Sequence, residues 1–240
     1  MIKTLKKYIV IAIYSFFICN CIIIQEENNI TRRTRNPLNV QAEDLTDSRF
    51  YNKQALIEVL NLIASRLDSH KPLIILIDGD SRSGKTTLAR DIENFFSSSM
   101  IKSTAIHMDH FLTMETISPE YISYAEQFGS TFNFDPLTGL YDHWDYSKAA
   151  EAVHSAISTG EEDIVILEGL NSGYIAMLGL VEFGLKIHVR ANQQTREHIY
   201  MLTFPHNRDH MNSYLSNYST RYDISDIDYD LIIQNNKAGI

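Results

Sequence analysis

From Pro72 onward the chain alternates between short apolar runs and amphipathic stretches. The runs are Leu73–Asp78 (LIILID), Thr104–Met108 (TAIHM), Ile164–Leu167 (IVIL), Leu185–Val189 (LKIHV) and Leu231–Gln234 (LIIQ). Each is too short for an independent helix, and such runs suit strands buried on both faces of a parallel sheet. The stretches between them carry apolar residues at helical spacing. Thr86–Phe96 puts Leu88, Ala89, Ile92 and Phe96 on one face. Tyr146–Ile157 does the same with Ala149, Ala150, Val153 and Ile157, and Gly160 is its stop signal. Gln194–Leu202 predicts a third helix. Ahead of the first strand, Leu56, Val59, Leu60, Ile63 and Leu67 line one face of a further helix. Asp47 or Ser48 would cap it and Pro72 blocks its continuation. Strands alternating with helices predict right-handed crossovers and an α/β fold with a mostly parallel sheet.

The first residues follow a different pattern. Lys3, Lys6 and Lys7 precede an apolar run from Tyr8 to Ile24, interrupted only by Ser15 and Asn20. A basic start followed by an apolar stretch reads as a signal segment or a membrane anchor, residues 1–24. The run is at the lower length limit of a helical span. Residues 25–46, with Asn28, Asn29, Arg32, Arg33, Arg35 and Pro37, read as a polar linker, which leaves 47–240 as the folded domain. Both cysteines of the chain, Cys19 and Cys21, lie in the apolar run, so the domain has neither a disulfide framework nor a cysteine zinc site. The net charge of −9 argues against nucleic acid as the partner, because phosphate backbones need a basic face. It leaves a nucleoside open, since that needs only local groups.

Gly79-Asp80-Ser81-Arg82-Ser83-Gly84-Lys85-Thr86 follows the first predicted strand and opens the first predicted helix after it. It fits GxxxxGK[ST], the P-loop pattern. Glycines allow the backbone to approach phosphate oxygens. Successive N–H groups then cradle the anion, and the helix adds its positive end. Residues 79–87 would hold the nucleotide, with Lys85 on the β- and γ-phosphates and the Thr86 hydroxyl on Mg²⁺; Thr87 completes the set.

The string LIILIDGDSRSGKTTLAR resembles the P-loop of the uridine kinase and phosphoribulokinase-like family of small-molecule kinases. His107-Met108-Asp109-His110-Phe111 resembles that family's second-strand signature, IVILEG (164–169) its third-strand segment, and Tyr229-Asp230-Leu231-Ile232-Ile233 its last strand. The pieces occur in family order from Pro72 to Gln234. The resemblance implies a P-loop NTPase three-layer sandwich, with a five-stranded sheet and helices on both faces. It also implies transfer of the γ-phosphate of ATP or GTP, with Mg²⁺, to a substrate hydroxyl.

Several side chains are candidates for that chemistry. Asp109 follows the second strand, at the carboxyl edge where parallel sheets bind ligands, and there it would accept the proton of the acceptor hydroxyl. It could also face the metal. Glu168 ends the third strand and would join the Mg²⁺ shell. Either Asp135, in Asn133-Phe134-Asp135-Pro136, or Asp145, in Asp142-His143-Trp144-Asp145, matches the family's sugar-contacting Asp. A turn in which Asp145 caps the next helix is an equal reading. Arg196 and Arg208 fall where the family carries a mobile arginine lid, although Phe204-Pro205-His206-Asn207 interrupts the basic stretch. His206 and His210 are four apart, but Pro205 argues against a helical metal site.

The expected activity is phosphorylation of a nucleoside of the uridine or cytidine kind. Two alternatives remain: a kinase of pantothenate, a ribosyl cofactor precursor or an antibiotic, or a membrane-tethered nucleotide-binding protein without such activity. ATP is plentiful inside cells, so an anchored protein with a cytoplasmic kinase domain is expected over one exported after signal cleavage.

Overall fold

Strand β1 (Leu73–Gly79) is the centre of the molecule because nearly every residue in it is apolar and buried. In the computed structural model its parallel neighbours are β5 (Ile164–Glu168) and β6 (Leu185–Arg190). Strand β2 (Ser103–His107) pairs outside β5, and β7 (Leu231–Gln234) outside β6. The sheet is therefore all parallel, in the order β2-β5-β1-β6-β7. The structure describes residues 40, 45–67, 71–111, 133–134, 141–142, 144–217 and 223–237. All of them belong to one compact unit, Asn39–Ile240.

Helices cover both faces because strand residues of both parities are apolar. Leu76, Val165 and Leu167 join Met108, Trp144 and helix α3 (Tyr146–Ser158) in one buried cluster. Short helix α4 (Gly173–Met177) adds Ile175 to it. Neighbouring strand residues Ile75, Ile77, Ile164 and Ile166 alternate to the opposite face and are also fully buried. Each such side chain stabilises the fold by about 1.5–3 kcal/mol relative to leaving it in water. Helix α1 (Lys53–Arg66) buries Leu56, Val59, Leu60 and Ile63, and α2 (Lys85–Ser98) buries Leu88, Ala89, Ile92 and Phe96. Helices α5 (Gln193–Thr203) and α6 (Met211–Asn217) follow β6. A two-residue antiparallel ladder pairs β3 (Asn133–Phe134) with β4 (Tyr141–Asp142).

The strands and long helices fall where periodicity puts them, with ends shifted by one or two residues, except that α1 starts at Lys53, several residues after the expected caps. The cap of α1 differs. Asn52 accepts from Ala55 N–H at 3.1 Å, whereas Ser48, one of the two expected caps, donates to Asp91 on α2 at 2.6 Å and accepts from Phe50 N–H. The packed unit also reaches back past residue 47: Val40 and Leu45 are buried. The apolar run 8–24 and most of the linker lie outside the described residues. Among the described residues no helix is long and apolar enough to cross a membrane.

Candidate active site

The carboxyl ends of the strands converge on the loop between β1 and α2. Gly79 leaves the sheet at φ 141°, where an added Cβ would stand 2.1 Å from the carbonyl oxygen of Val189 on β6. Gly84 begins α2 at φ 104°, and its Cβ would meet Asn235 Nδ2 at 2.3 Å. Both conformations exclude side chains. Ser83 N–H donates to Asp80 O at 3.2 Å, and Lys85 Nζ donates to the same oxygen at 2.7 Å, folding the lysine back over its own loop. Lys85 is buried, and loss of water pushes its pKa down, although Glu168, Asp78, Asp109 and Asp80 all pull it up.

The acidic side of the cleft follows from strand register. β2 and β5 place His107 beside Glu168. Glu168 Oε1 accepts from Thr86 Oγ1 at 2.9 Å and lies 2.6 Å from His107 Nδ1. Glu168 is buried and its Oε2 has no hydrogen-bond partner among the described residues. The bond to Glu168 raises the His107 pKa, against the opposing effect of burial. Asp109 lies in the 3₁₀ turn Met108–Phe111 after β2. Crowding by protein raises its pKa first, and the Glu168 charge second, while Lys85, Arg82 and His107 oppose them. Its surface is nonetheless exposed, so water moderates the first cause. The structure thus gathers Lys85, Thr86, Glu168 and Asp109 at one sheet edge.

The outer rim of the loop is held by the α5–α6 region. Arg196 Nε donates to Ser81 O at 2.9 Å, Nη2 donates to Leu215 O at 3.0 Å, and Nη1 is 3.7 Å from Asp80. Arg82 adopts φ 63°. Its guanidinium lies 4.9 Å from the centre of the Phe204 ring and 5.4 Å from that of Tyr214, and it donates to the Tyr214 hydroxyl at 3.3 Å. Ser81 Oγ reaches the same hydroxyl at 3.2 Å. Arg196 therefore orders the loop backbone in this state, while Arg208 is exposed in a 3₁₀ turn before α6.

Of the two candidate substrate carboxylates, Asp135 lies outside the described residues. Asp145 caps α3: Oδ1 accepts from Lys148 N–H at 2.9 Å, and Oδ2 pairs with Lys148 Nζ at 3.2 Å. Two groups near the loop had no signal in the sequence. Asp78 is fully buried, accepts from the Tyr229 hydroxyl at 2.6 Å, and has His188 Nδ1 at 3.4 Å. Asn235, just past β7, donates to Ser83 O at 2.9 Å. Their partners come from distant strands, and no local pattern marks them.

The donor set fits a magnesium ion. A buried carboxylate oxygen without a partner beside a hydroxyl is hard-oxygen chemistry, and Mg²⁺ commonly takes one or two carboxylates and completes its shell with water and substrate phosphates. Among the described residues no group of three or more His, Cys, Asp or Glu forms a metal cage.

No protein-family model matches the chain, and no curated protein matches it. Solved structures do. A protein provisionally described as a fructose transport system kinase from Silicibacter sp. TM1040 is 13% identical, covers 74% of this chain and 98% of its own, and has a TM-score of 0.49. A protein provisionally described as a uridine kinase from Bacillus stearothermophilus is 15% identical, with 75% and 98% covered and a TM-score of 0.45. Shikimate kinase from Bacteroides thetaiotaomicron is 16% identical, with 68% and 86% covered and a TM-score of 0.37. Identity to each of these structures is low; the fold is read from the chain's own strand order, β2-β5-β1-β6-β7, which is that of an α/β P-loop NTPase.

Proposed function

We propose that this protein is a Mg²⁺-dependent phosphotransferase that moves the γ-phosphoryl group of ATP or GTP to a hydroxyl of a nucleoside of the uridine or cytidine kind. The observation that carries the reading is the joining of Thr86 and Glu168 at 2.9 Å beside buried Lys85, with Asp109 in the turn after β2, near enough for the charges of Glu168 and Lys85 to act on it. The backbone N–H groups of residues 79–86 hold phosphate oxygens, and Lys85 neutralises their charge. Asp109 orients the acceptor hydroxyl and takes its proton as the new O–P bond forms and the bond to the nucleoside diphosphate breaks. A raised pKa suits a group that must accept that proton. Thr86 and Glu168 would hold Mg²⁺, which supplies positive charge to the phosphates. The Asp- and aromatic-rich segment around residues 133–145 supports a sugar-and-base acceptor. The apolar run 8–24 supports anchoring with this domain on the ATP-rich side of a membrane.

The test uses the full chain in mild detergent with Mg²⁺-ATP and a panel of nucleosides, pantothenate and nicotinamide riboside, with product read by mass. Nucleoside monophosphate is expected, with turnover lowered about 10²–10³-fold in Lys85→Ala and about 10²–10⁴-fold in Asp109→Asn. ATP binding without product from any acceptor would refute the kinase reading and favour a nucleotide-binding protein.

A further inference from the structure

Asn235 is a buried polar side chain whose amide faces three backbone groups from two parts of the chain far from it in sequence. Its Oδ1 accepts from Tyr51 N–H at 2.8 Å and from Asn52 N–H at 3.3 Å. Its Nδ2 donates to Ser83 O at 2.9 Å, and only 2% of the residue is exposed. The orientation of the amide is fixed by chemistry: two donors face one atom and a carbonyl faces the other, so a flipped amide would satisfy none of the three. The backbone of Asn235 is fixed too, by its N–H to Arg190 O at 2.8 Å.

We infer that Asn235 is a positioning residue that locks the phosphate loop, and that the Ser48–Asn52 strap before α1 is part of the same lock. Holding the Ser83 carbonyl outward turns the following Gly84 N–H toward the loop interior, where a phosphate oxygen would be bound. Gly84 has no Cβ because Asn235 stands where that atom would be. The strap fills the remaining side. Phe50 is fully buried, with its ring 3.5 Å from the position of that same Cβ. Ser48 holds the strap to α2 through Asp91, and Lys53 Nζ bonds Ser48 O. Asn52 Nδ2 returns to Gln234 O at 2.8 Å, closing the circuit onto β7. The strap is the described stretch leading back toward the apolar run, so the lock ties the N-terminal side of the domain to the loop that would grip phosphate.

The role in nucleotide binding rests on the phosphotransferase reading, but the lock itself can be tested without nucleotide. Asn235→Asp keeps the acceptor for Tyr51 and Asn52 and replaces the donor to Ser83 O with an oxygen. In the full chain without ligand, hydrogen exchange of the peptide covering residues 79–86 is expected to speed up at least ten-fold in this variant, with exchange in β5 unchanged. Mg²⁺-ATP affinity is expected to fall at least ten-fold in both Asn235→Asp and Asn235→Ala. A folded Asn235→Asp protein with unchanged exchange over 79–86 would overturn the lock. Where that variant does not fold, wild-type protein decides. Bound Mg²⁺-ATP should slow exchange at the Tyr51 and Asn52 amides, and no change there while the loop slows would overturn the lock. Wild-type protein that bound no nucleotide would instead refute the phosphotransferase reading, because the ligand-free exchange stands apart from it.

Discussion

Replacing Glu168 by Gln separates what this side chain does for the cleft from what it does for the fold. Glu168 is buried, with Oε1 2.6 Å from His107 Nδ1. A hydrogen bond to a charged group contributes about 1.5–3 kcal/mol, against about 0.5–1.5 for a neutral one. Neutralising Glu168 therefore removes about 1–2 kcal/mol when His107 is protonated. Since 32% of the His107 side chain is exposed, solvent screening draws the expected loss toward about 1 kcal/mol. The effect must depend on pH, with a definite sign. The folded pKa of His107 lies above its ordinary 6.5. The stabilisation from the pair is fully present below pH 6.5 and is lost as pH rises through the folded value. Once His107 is neutral, the variant escapes the cost of a buried carboxylate whose Oε2 has no partner among the described residues, so it should equal or exceed wild type. Lys85 adds to the same trend. Its folded pKa is lowered from 10.5, so its contribution to stability rises as pH climbs from that lowered value toward 10.5, and the variant removes the largest charge opposing the shift.

The assay is urea unfolding between about pH 6 and pH 9, followed by the fluorescence of Trp144, the chain's one tryptophan, which is buried. Asp109 is also raised by Glu168, so both proteins carry Asp109→Asn to remove its titration from the comparison. Wild-type background should be more stable by about 1 kcal/mol near pH 6, and the gap should close or reverse near pH 9. Parallel curves across that range would show that the pair carries no charge in the folded protein, and the reasoning would fail. Kinase turnover of Glu168→Gln alone should fall at least a hundred-fold, on the order of losing a group that stabilises transferred charge.

Other substitutions test single assignments. Asp145→Ala should destabilise the protein by about 0.5–2 kcal/mol through the lost α3 cap and leave the acceptor KM unchanged; a raised acceptor KM with unchanged stability would make Asp145 a substrate contact instead. Arg196→Ala should raise the KM for ATP about ten-fold, about 1.4 kcal/mol of binding, by freeing Ser81 O and Leu215 O, and this is read by initial-rate kinetics. Arg196→Lys should not restore it, because one ammonium cannot reproduce the planar fork that spans both carbonyls.

The fold was legible from Pro72 to Gln234 because its signals are local. LIILID and IVIL are buried on both faces in a parallel sheet, and a run of apolar residues is how such a strand appears in one dimension. The loop from Gly79 to Thr86 was legible for a related reason: its glycines, lysine and threonine lie within eight consecutive positions. Helix α1 shows where locality ends. Its apolar stripe was visible, yet its cap was not, because Asp47 and Ser48 are as good a cap by type as Asn52. The choice between them was made by Asp91 on another helix.

The polar residues that the sequence did not mark share one property: what they bond is brought together only by the crossovers. Asp78 meets His188 because β6 lies beside β1, and Tyr229 because it leads into β7 on the far side of β6. Asn235 meets Ser83 because β7 ends at the height of the loop. A buried polar side chain without partners would cost about 1–3 kcal/mol, so the fold keeps Asn235 only where all its bonds close at once. The Thr86–Glu168–His107 group obeys the same rule with one oxygen left over. Asn235 is fully satisfied by described residues, whereas one oxygen of Glu168 has no partner among them. On the function proposed above, that difference leaves the first to hold the loop and the second to meet the ion that the loop's ligand would bring.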